Sequence, residues 1–174
     1  INDALFQSGM AYASMSRYTQ ALAAFDKLLE LEPQNAVVLY HKGRMLAKLT
    51  RPDEALAVLD ASLSIENNVA DVWLIRGSVL LDLEQLENAR ESFDRALALT
   101  PDDSTAWYRK GKTFVGLRNY QEAIGCFDRV IAADPGCAPA WFRKGSSLLS
   151  CGDLKGAIDA LTKALELKPD NANG

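Results

Sequence analysis

Between Trp107 and Pro135 apolar side chains return twice at helical spacing, with a polar break between the two runs. Trp107, Gly111 and Phe114 fall at i, i+4 and i+7, one face of a first helix. Ala123, Phe127, Val130 and Ile131 mark the apolar face of a second. Asn119, with Glu122 three residues later, has the spacing of a capping box and predicts where that second helix starts. Asp134, Pro135 and Gly136 predict its end, because proline cannot continue a helix and glycine accepts turn geometry.

Shifting the chain by 34 residues brings the same pattern back. The tryptophan returns at Trp73 and Trp141, and the proline at Pro101 and Pro169. A period of this size means one small supersecondary unit repeated several times. The register gives five units, 2–35, 36–69, 70–103, 104–137 and 138–171, and leaves over only Ile1 and the tail Ala172–Gly174. We therefore expect a single all-α domain over residues 1–174, each repeat contributing two helices.

Two positions do not vary. The eighth of every repeat is glycine (Gly9, Gly43, Gly77, Gly111, Gly145) and the twentieth is alanine (Ala21, Ala55, Ala89, Ala123, Ala157). A glycine inside a helix costs about 1 kcal/mol relative to alanine, so five in register need a packing reason. The simplest is a close crossing of the two helices, with Phe25, Leu59, Phe93, Phe127 and Leu161 filling the layer beside it. Pro52 can open the second helix of its repeat. Asn67 and Asn68 replace the usual proline, which makes that turn the least typical.

These residues resemble the tetratricopeptide repeat, whose pattern is W-x2-L-G-x2-Y, then A-x3-F, then P, on a 34-residue period. The likeness covers essentially the whole chain. It departs from the pattern at Leu5 and Leu39, which replace tryptophan. It departs again at Ser8, Lys42, Arg76, Lys110 and Lys144, which replace the leucine before glycine. The resemblance implies a right-handed α-solenoid of antiparallel helix pairs, first helices lining a concave groove and second helices covering the convex side. In such a solenoid each repeat touches mainly its neighbours, and end repeats need a polar cap. Ile158, Leu161, Leu165 and Leu167 have no evident cover, which predicts a further helix, another copy or a partner at that end.

Charge changes the picture. The net charge is −4, so the chain has no basic excess to release counterions from nucleic acid. The first helices nevertheless hold nine basic residues against Asp3, Asp71 and Asp82, whereas the rest of the chain is strongly acidic. A basic lining in a concave wall would steer acidic partners. In the family, a few positions of each first helix commonly face the groove. Carried over, they select Tyr40, His41, Arg44 and Lys48, then Leu74 and Ser78, then Tyr108, Arg109 and Lys112, then Phe142, Arg143 and Ser146. The terminal-carboxylate clamp of some family members finds no matching frame in these residues. Aromatic and arginine side chains side by side suit an extended peptide carrying carboxylates.

The expected function is a protein-interaction scaffold for an acidic peptide or protein segment. The alternative is a structural module that builds homo-oligomers or larger assemblies through the C-terminal repeat. RNA binding ranks below both, because Asp71 and Asp82 interrupt the basic run. No phosphate loop, nucleophile motif or paired metal ligands support an enzyme, a cofactor or a metal site. The single histidine, His41, lacks partners for chemistry. No run is long enough for a membrane span. Cys126, Cys137 and Cys151 are too few and too unpaired for a disulfide scaffold, which points to a reducing, cytoplasmic setting. Starting at Ile1 rather than methionine, the chain reads as a piece of a longer protein, so a missing targeting signal carries no weight.

Overall fold

The computed structural model describes residues 2–167. The expectations about Ile1, Pro169 and the tail lie outside the described residues. Among those described, the repeat register appears as ten helices. First helices are α1 (Asn2–Ser14), α3 (Ala36–Lys48), α5 (Ala70–Asp82), α7 (Ser104–Gly116) and α9 (Ala138–Ser150). Second helices are α2 (Tyr18–Leu31), α4 (Pro52–Ile65), α6 (Leu86–Leu99), α8 (Tyr120–Ala133) and α10 (Leu154–Leu167). Every first helix has 13 residues and every second has 14, so the period is kept without insertion. The turns within repeats have three residues and the links between repeats four.

Contacts divide the chain into two compact units, Ile1–Leu83 and Glu84–Gly174. In the first, Ala21, Leu22, Phe25 and Leu28 of α2 pack with Val38, Met45 and Leu46 of α3, with Ala55 of α4 and with Val79 of α5. In the second, Phe127 and Ala123 of α8 are fully buried, with Ala106 of α7 and Ala140 of α9.

The glycines do what their register predicts. A Cβ on Gly9 would stand 2.5 Å from the Phe25 ring, on Gly43 2.7 Å from Leu59, on Gly111 2.7 Å from Phe127 and on Gly145 2.7 Å from Leu161. Real Cβ atoms do not approach so closely, so the helices of a pair meet only because that atom is missing. The invariant alanines are buried alongside.

Helix ends differ from expectation in two ways. Asn119 does stand at the N-cap of α8, but its side chain makes no capping bond, so the capping box with Glu122 does not form. Its backbone is already committed, because its N–H donates to Phe114 O at 2.9 Å to close the preceding turn. Side-chain caps form instead at α3, α7 and α10, the last with Asp153 Oδ1 accepting from Gly156 N at 2.9 Å. Asn35 Oδ1 accepts from Val38 N at 3.1 Å, and Asp103 Oδ1 from Thr105 N at 2.8 Å. The second difference is a left-handed residue inside each hairpin turn: Ser16, Thr50, Glu84, Arg118 and Gly152, with φ between 54° and 84°. Only one of the five is the glycine such a φ favours. The strain is offset by a recurring bond from the next N–H back across the helix end, Arg17 to Tyr12, Arg51 to Leu46, Asp153 to Leu148. Pro52 opens α4 as expected, and α8 ends at Ala133, where Asp134 Oδ1 accepts from Gly136 N at 2.9 Å.

The tryptophans pack and also tie. Each half-buried indole N–H reaches the link before its helix: Trp107 to Pro101 O at 2.7 Å, Trp141 to Pro135 O at 3.0 Å and Trp73 to Asn67 O at 2.8 Å. Asn67 thus supplies the carbonyl that proline supplies elsewhere, and the atypical link is held in the same way.

Candidate functional site

The basic residues of the first helices do not form the single lining that their spacing predicts; they fall into two classes. Those at the seventh position are paired. Lys42 meets Asp26 at 2.7 Å, Arg76 meets Asp60 at 2.6 Å, Lys110 meets Asp94 at 2.6 Å and Lys144 meets Asp128 at 2.6 Å. Each aspartate lies on the second helix of the preceding repeat, so this stripe joins repeats. Three of the four cations also lie over an indole: Arg76 over Trp73, Lys110 over Trp107 and Lys144 over Trp141, at 5.0–5.8 Å from the ring centroid. The second class, Arg44, Lys48, Arg109, Lys112 and Arg143, has no carboxylate partner among the described residues.

In the first unit, Tyr40, His41 and Arg44 come together on α3. His41 stacks on Phe25 with ring centroids 5.9 Å apart, meets Phe6 edge-on at 5.4 Å and touches Tyr40 at 4.9 Å. The Arg44 guanidinium lies 5.5 Å from the Tyr40 ring centroid. Burial raises the Tyr40 phenol above its usual pKa, and Arg44 opposes the rise. Lys48 is exposed at the end of the same helix. Leu74 is half-buried on α5. Ser78 is buried and spends its hydroxyl proton on Leu74 O at 2.7 Å, which removes it as a donor to a ligand. Asp71 of α5 acts electrostatically on Tyr40, so this surface is not uniformly basic.

His41 is held below its ordinary pKa of 6.5, first by burial and then by Arg44. In the folded state it takes up its proton at lower pH than in the unfolded chain, where the ordinary value of 6.5 applies. The unfolded state therefore binds more protons below that pH, and stability falls as pH drops from 7 toward 5. This slope is expected to flatten in His41→Phe, as read from urea midpoints across that interval. An unchanged slope would remove His41 from the account, since the chain has no other histidine.

In the second unit, Tyr108, Phe142 and Arg143 line one cavity of about 590 Å³, together with Pro139 of α9 and with Leu161 and Leu165 of α10. Phe142 is exposed, and the Tyr108 ring meets Phe127 edge-on at 5.7 Å. Arg109 and Lys112 lie on α7 outside this cavity. Ser146 donates to Phe142 O at 3.0 Å and, like Ser78, is turned back onto its own helix. In the sequence Leu165 stands out only as an uncovered apolar residue, and Leu161 also as the residue packed beside Gly145. Their place in this wall comes from the antiparallel return of α10 beside α9.

Cys126 is buried, and burial pushes its thiol up to about 11, so it packs as an inert side chain; Cys137 is half-buried and Cys151 exposed. Among the described residues no group of three His, Cys, Asp or Glu side chains could hold a metal, and no helix is long and apolar enough to cross a membrane.

Three family models, each described as tetratricopeptide repeat, match residues 12–78, 70–113 and 108–172. No curated protein matches the sequence. Among solved structures, YrrB, described as a tetratricopeptide-repeat protein with an unusual peptide-binding site, is 27% identical with a TM-score of 0.86, over 96% of this chain and 86% of its own. MamA from Desulfovibrio magneticus RS-1 is 22% identical with a TM-score of 0.92, over 98% of this chain and 97% of its own. A further MamA structure is 22% identical with a TM-score of 0.89, over 97% and 92%. The MamA likeness shows the fold, an all-α solenoid of antiparallel helix pairs. With family models spanning it from residue 12 to 172, the chain belongs to the tetratricopeptide-repeat family.

Proposed function

We propose that the chain is a protein-interaction scaffold without chemistry of its own, and that its first helices hold acidic, extended segments of a partner. The observation that carries this reading is the split between the two basic classes. Every base at the seventh position is neutralised by an aspartate of the fold, whereas Arg44, Lys48, Arg109, Lys112 and Arg143 make no ion pair among the described residues. Arginine next to Tyr40 and next to Tyr108 and Phe142 supplies the aromatic and guanidinium surfaces that dominate many interfaces. YrrB, a relative by fold at 27% identity, is described by its peptide-binding site, which supports a peptide as the kind of partner.

An array of extended peptides, acidic and neutral, tests the reading. The wild-type chain is expected to retain acidic peptides selectively, with affinity falling as salt rises. Arg44→Glu/Arg109→Glu, folded by circular dichroism, is expected to retain none. Equal capture by both chains, or no capture by either, overturns it.

A further inference from the structure

The two tryptophans of the second unit stand in different surroundings. The Trp107 ring carries two cations, Lys110 with its Nζ 5.0 Å from the centroid and Arg129 with its guanidinium carbon 5.7 Å away. Arg129 lies on α8 and has no ion-pair partner among the described residues, so the indole is what it rests on. Among the described residues the Trp141 ring carries Lys144 alone, at 5.4 Å. Lys163 of α10 holds the register of Arg129, one 34-residue period later. It is drawn away from the indole: its Nζ meets Glu166 Oε2 at 3.0 Å, and the fourth repeat has Ala132 where Glu166 stands.

The place left beside Trp141 is a groove of about 550 Å³, walled by α8 and α10 with Trp141 and Leu148 of α9 between them. Its α8 wall is apolar, with buried Ile124 where α6 has Arg90, which pairs with Glu87 and Asp94. Its α10 wall is acidic. Asp153 and Asp159 line it where the fourth repeat has Asn119 and Gly125, and Gly156, in place of Glu122, adds no side chain between them. The two lysines of the lining are already engaged, Lys144 with Asp128 at 2.6 Å and Lys163 with Glu166. Asp159 is exposed and makes no ion pair among the described residues. Asp153 commits one oxygen to Gly156 N at 2.9 Å. Compared with the preceding repeat, then, a guanidinium has gone from each of two places while the second wall has turned acidic.

We infer that this groove holds an arginine side chain from a basic segment of a partner protein. Its aliphatic stem lies along Ile124 and Leu148. Its guanidinium rests on the Trp141 indole, as the chain's own Arg129 rests on Trp107, and donates to the carboxylates of Asp153 and Asp159. Arginine fits better than lysine, because a guanidinium is more weakly hydrated than an ammonium, stacks on a ring and offers a fork to a carboxylate. The groove sits at the internal junction of the fourth and fifth repeats, so it does not depend on what precedes α1 or follows α10. It shares no residue with the cavity of Phe142 and Arg143, and the reading stands apart from the one for acidic segments.

Nuclear magnetic resonance titration of the full chain tests it. The probes are a short capped alanine–serine peptide with one arginine at its centre and its lysine and citrulline counterparts. The indole N–H signal of Trp141 is assigned by its loss in Trp141→Phe. The arginine peptide is expected to shift the signals of Trp141 and Asp159 and to leave Trp107, already covered by Arg129, where it is. The lysine peptide is expected to bind more weakly, and the citrulline peptide, alike in shape but uncharged, not at all. Asp159→Asn is expected to weaken the arginine peptide about tenfold, as for one lost hydrogen bond to a charged group. Lys163→Arg/Glu166→Ala rebuilds the fourth repeat's pattern, sets the chain's own guanidinium over Trp141 and is expected to abolish binding; both positions are exposed, so the thermal midpoint serves as fold control. No shift at Trp141, equal shifts at Trp107, or lysine or citrulline bound as tightly as arginine overturns the inference. So does unaltered binding by Asp159→Asn or by the filled variant.

Discussion

Gly111→Ala is expected to destabilise the chain by about 1–3 kcal/mol, while Gly125→Ala, the same substitution one helix later, is expected to stabilise it by about 0.5–1 kcal/mol. Both glycines sit inside helices of one repeat, and both would gain helix propensity from a methyl group. At Gly125 nothing lies within 4 Å of the added atom, so propensity decides. At Gly111 the atom would meet the Phe127 ring at 2.7 Å, and that ring has no exposed surface along which to retreat. Phe127→Ala alone is expected to cost about 3–5 kcal/mol through the cavity it leaves. Adding Gly111→Ala to it should cost less than the sum, because the new methyl group then occupies part of that cavity. Urea unfolding of the wild type and the four variants reads all of this. A stabilising Gly111→Ala would mean that the close crossing is not what places glycine there.

That crossing is legible in the sequence because glycine held in fixed register inside helices, with alanine opposite, serves close packing and little else. The ion-pair stripe is not legible there, although its signal is present. Asp26, Asp60, Asp94 and Asp128 recur with the same period as the bases they meet. Sequence spacing assigns a residue to a face of its own helix, but it does not say which face of the preceding repeat lies opposite. Acids on second helices therefore read as a solvated surface, and seventh-position bases as lining. The left-handed turn residue escapes for another reason. Ser16, Thr50, Glu84 and Arg118 share no chemistry that marks such a φ, and the bond that offsets their strain is made by backbone alone. The cavity of the second unit is half visible. Family register selects Tyr108, Phe142 and Arg143, but the wall added by Leu161 and Leu165 depends on how α10 returns beside α9.

The two classes of base also give a matched experiment, because Arg109 and Lys110 are adjacent on α7, as are Arg143 and Lys144 on α9. Arg109→Glu/Arg143→Glu and Lys110→Glu/Lys144→Glu change the net charge equally, on the same helices, one residue apart. Reversing the unpaired class removes guanidinium bonds to a peptide carboxylate, each worth about 1.5–3 kcal/mol. Two such losses correspond to a fall of at least about 100-fold in affinity for an acidic peptide. No internal partner is disturbed, so thermal stability is expected to hold. Reversing the paired class places glutamates against Asp94 and Asp128 and withdraws the cations from Trp107 and Trp141. Each substitution is expected to cost about 1 kcal/mol of stability, as for a partly exposed pair turned repulsive, with peptide affinity reduced only by the general loss of positive field. Calorimetric titration with one acidic peptide and thermal melts of both variants separate the effects. If the paired variant loses as much affinity as the unpaired one, a diffuse field rather than the Arg109 and Arg143 contacts holds the ligand. If the unpaired variant melts early, those arginines belong to the fold and the candidate surface loses its basis.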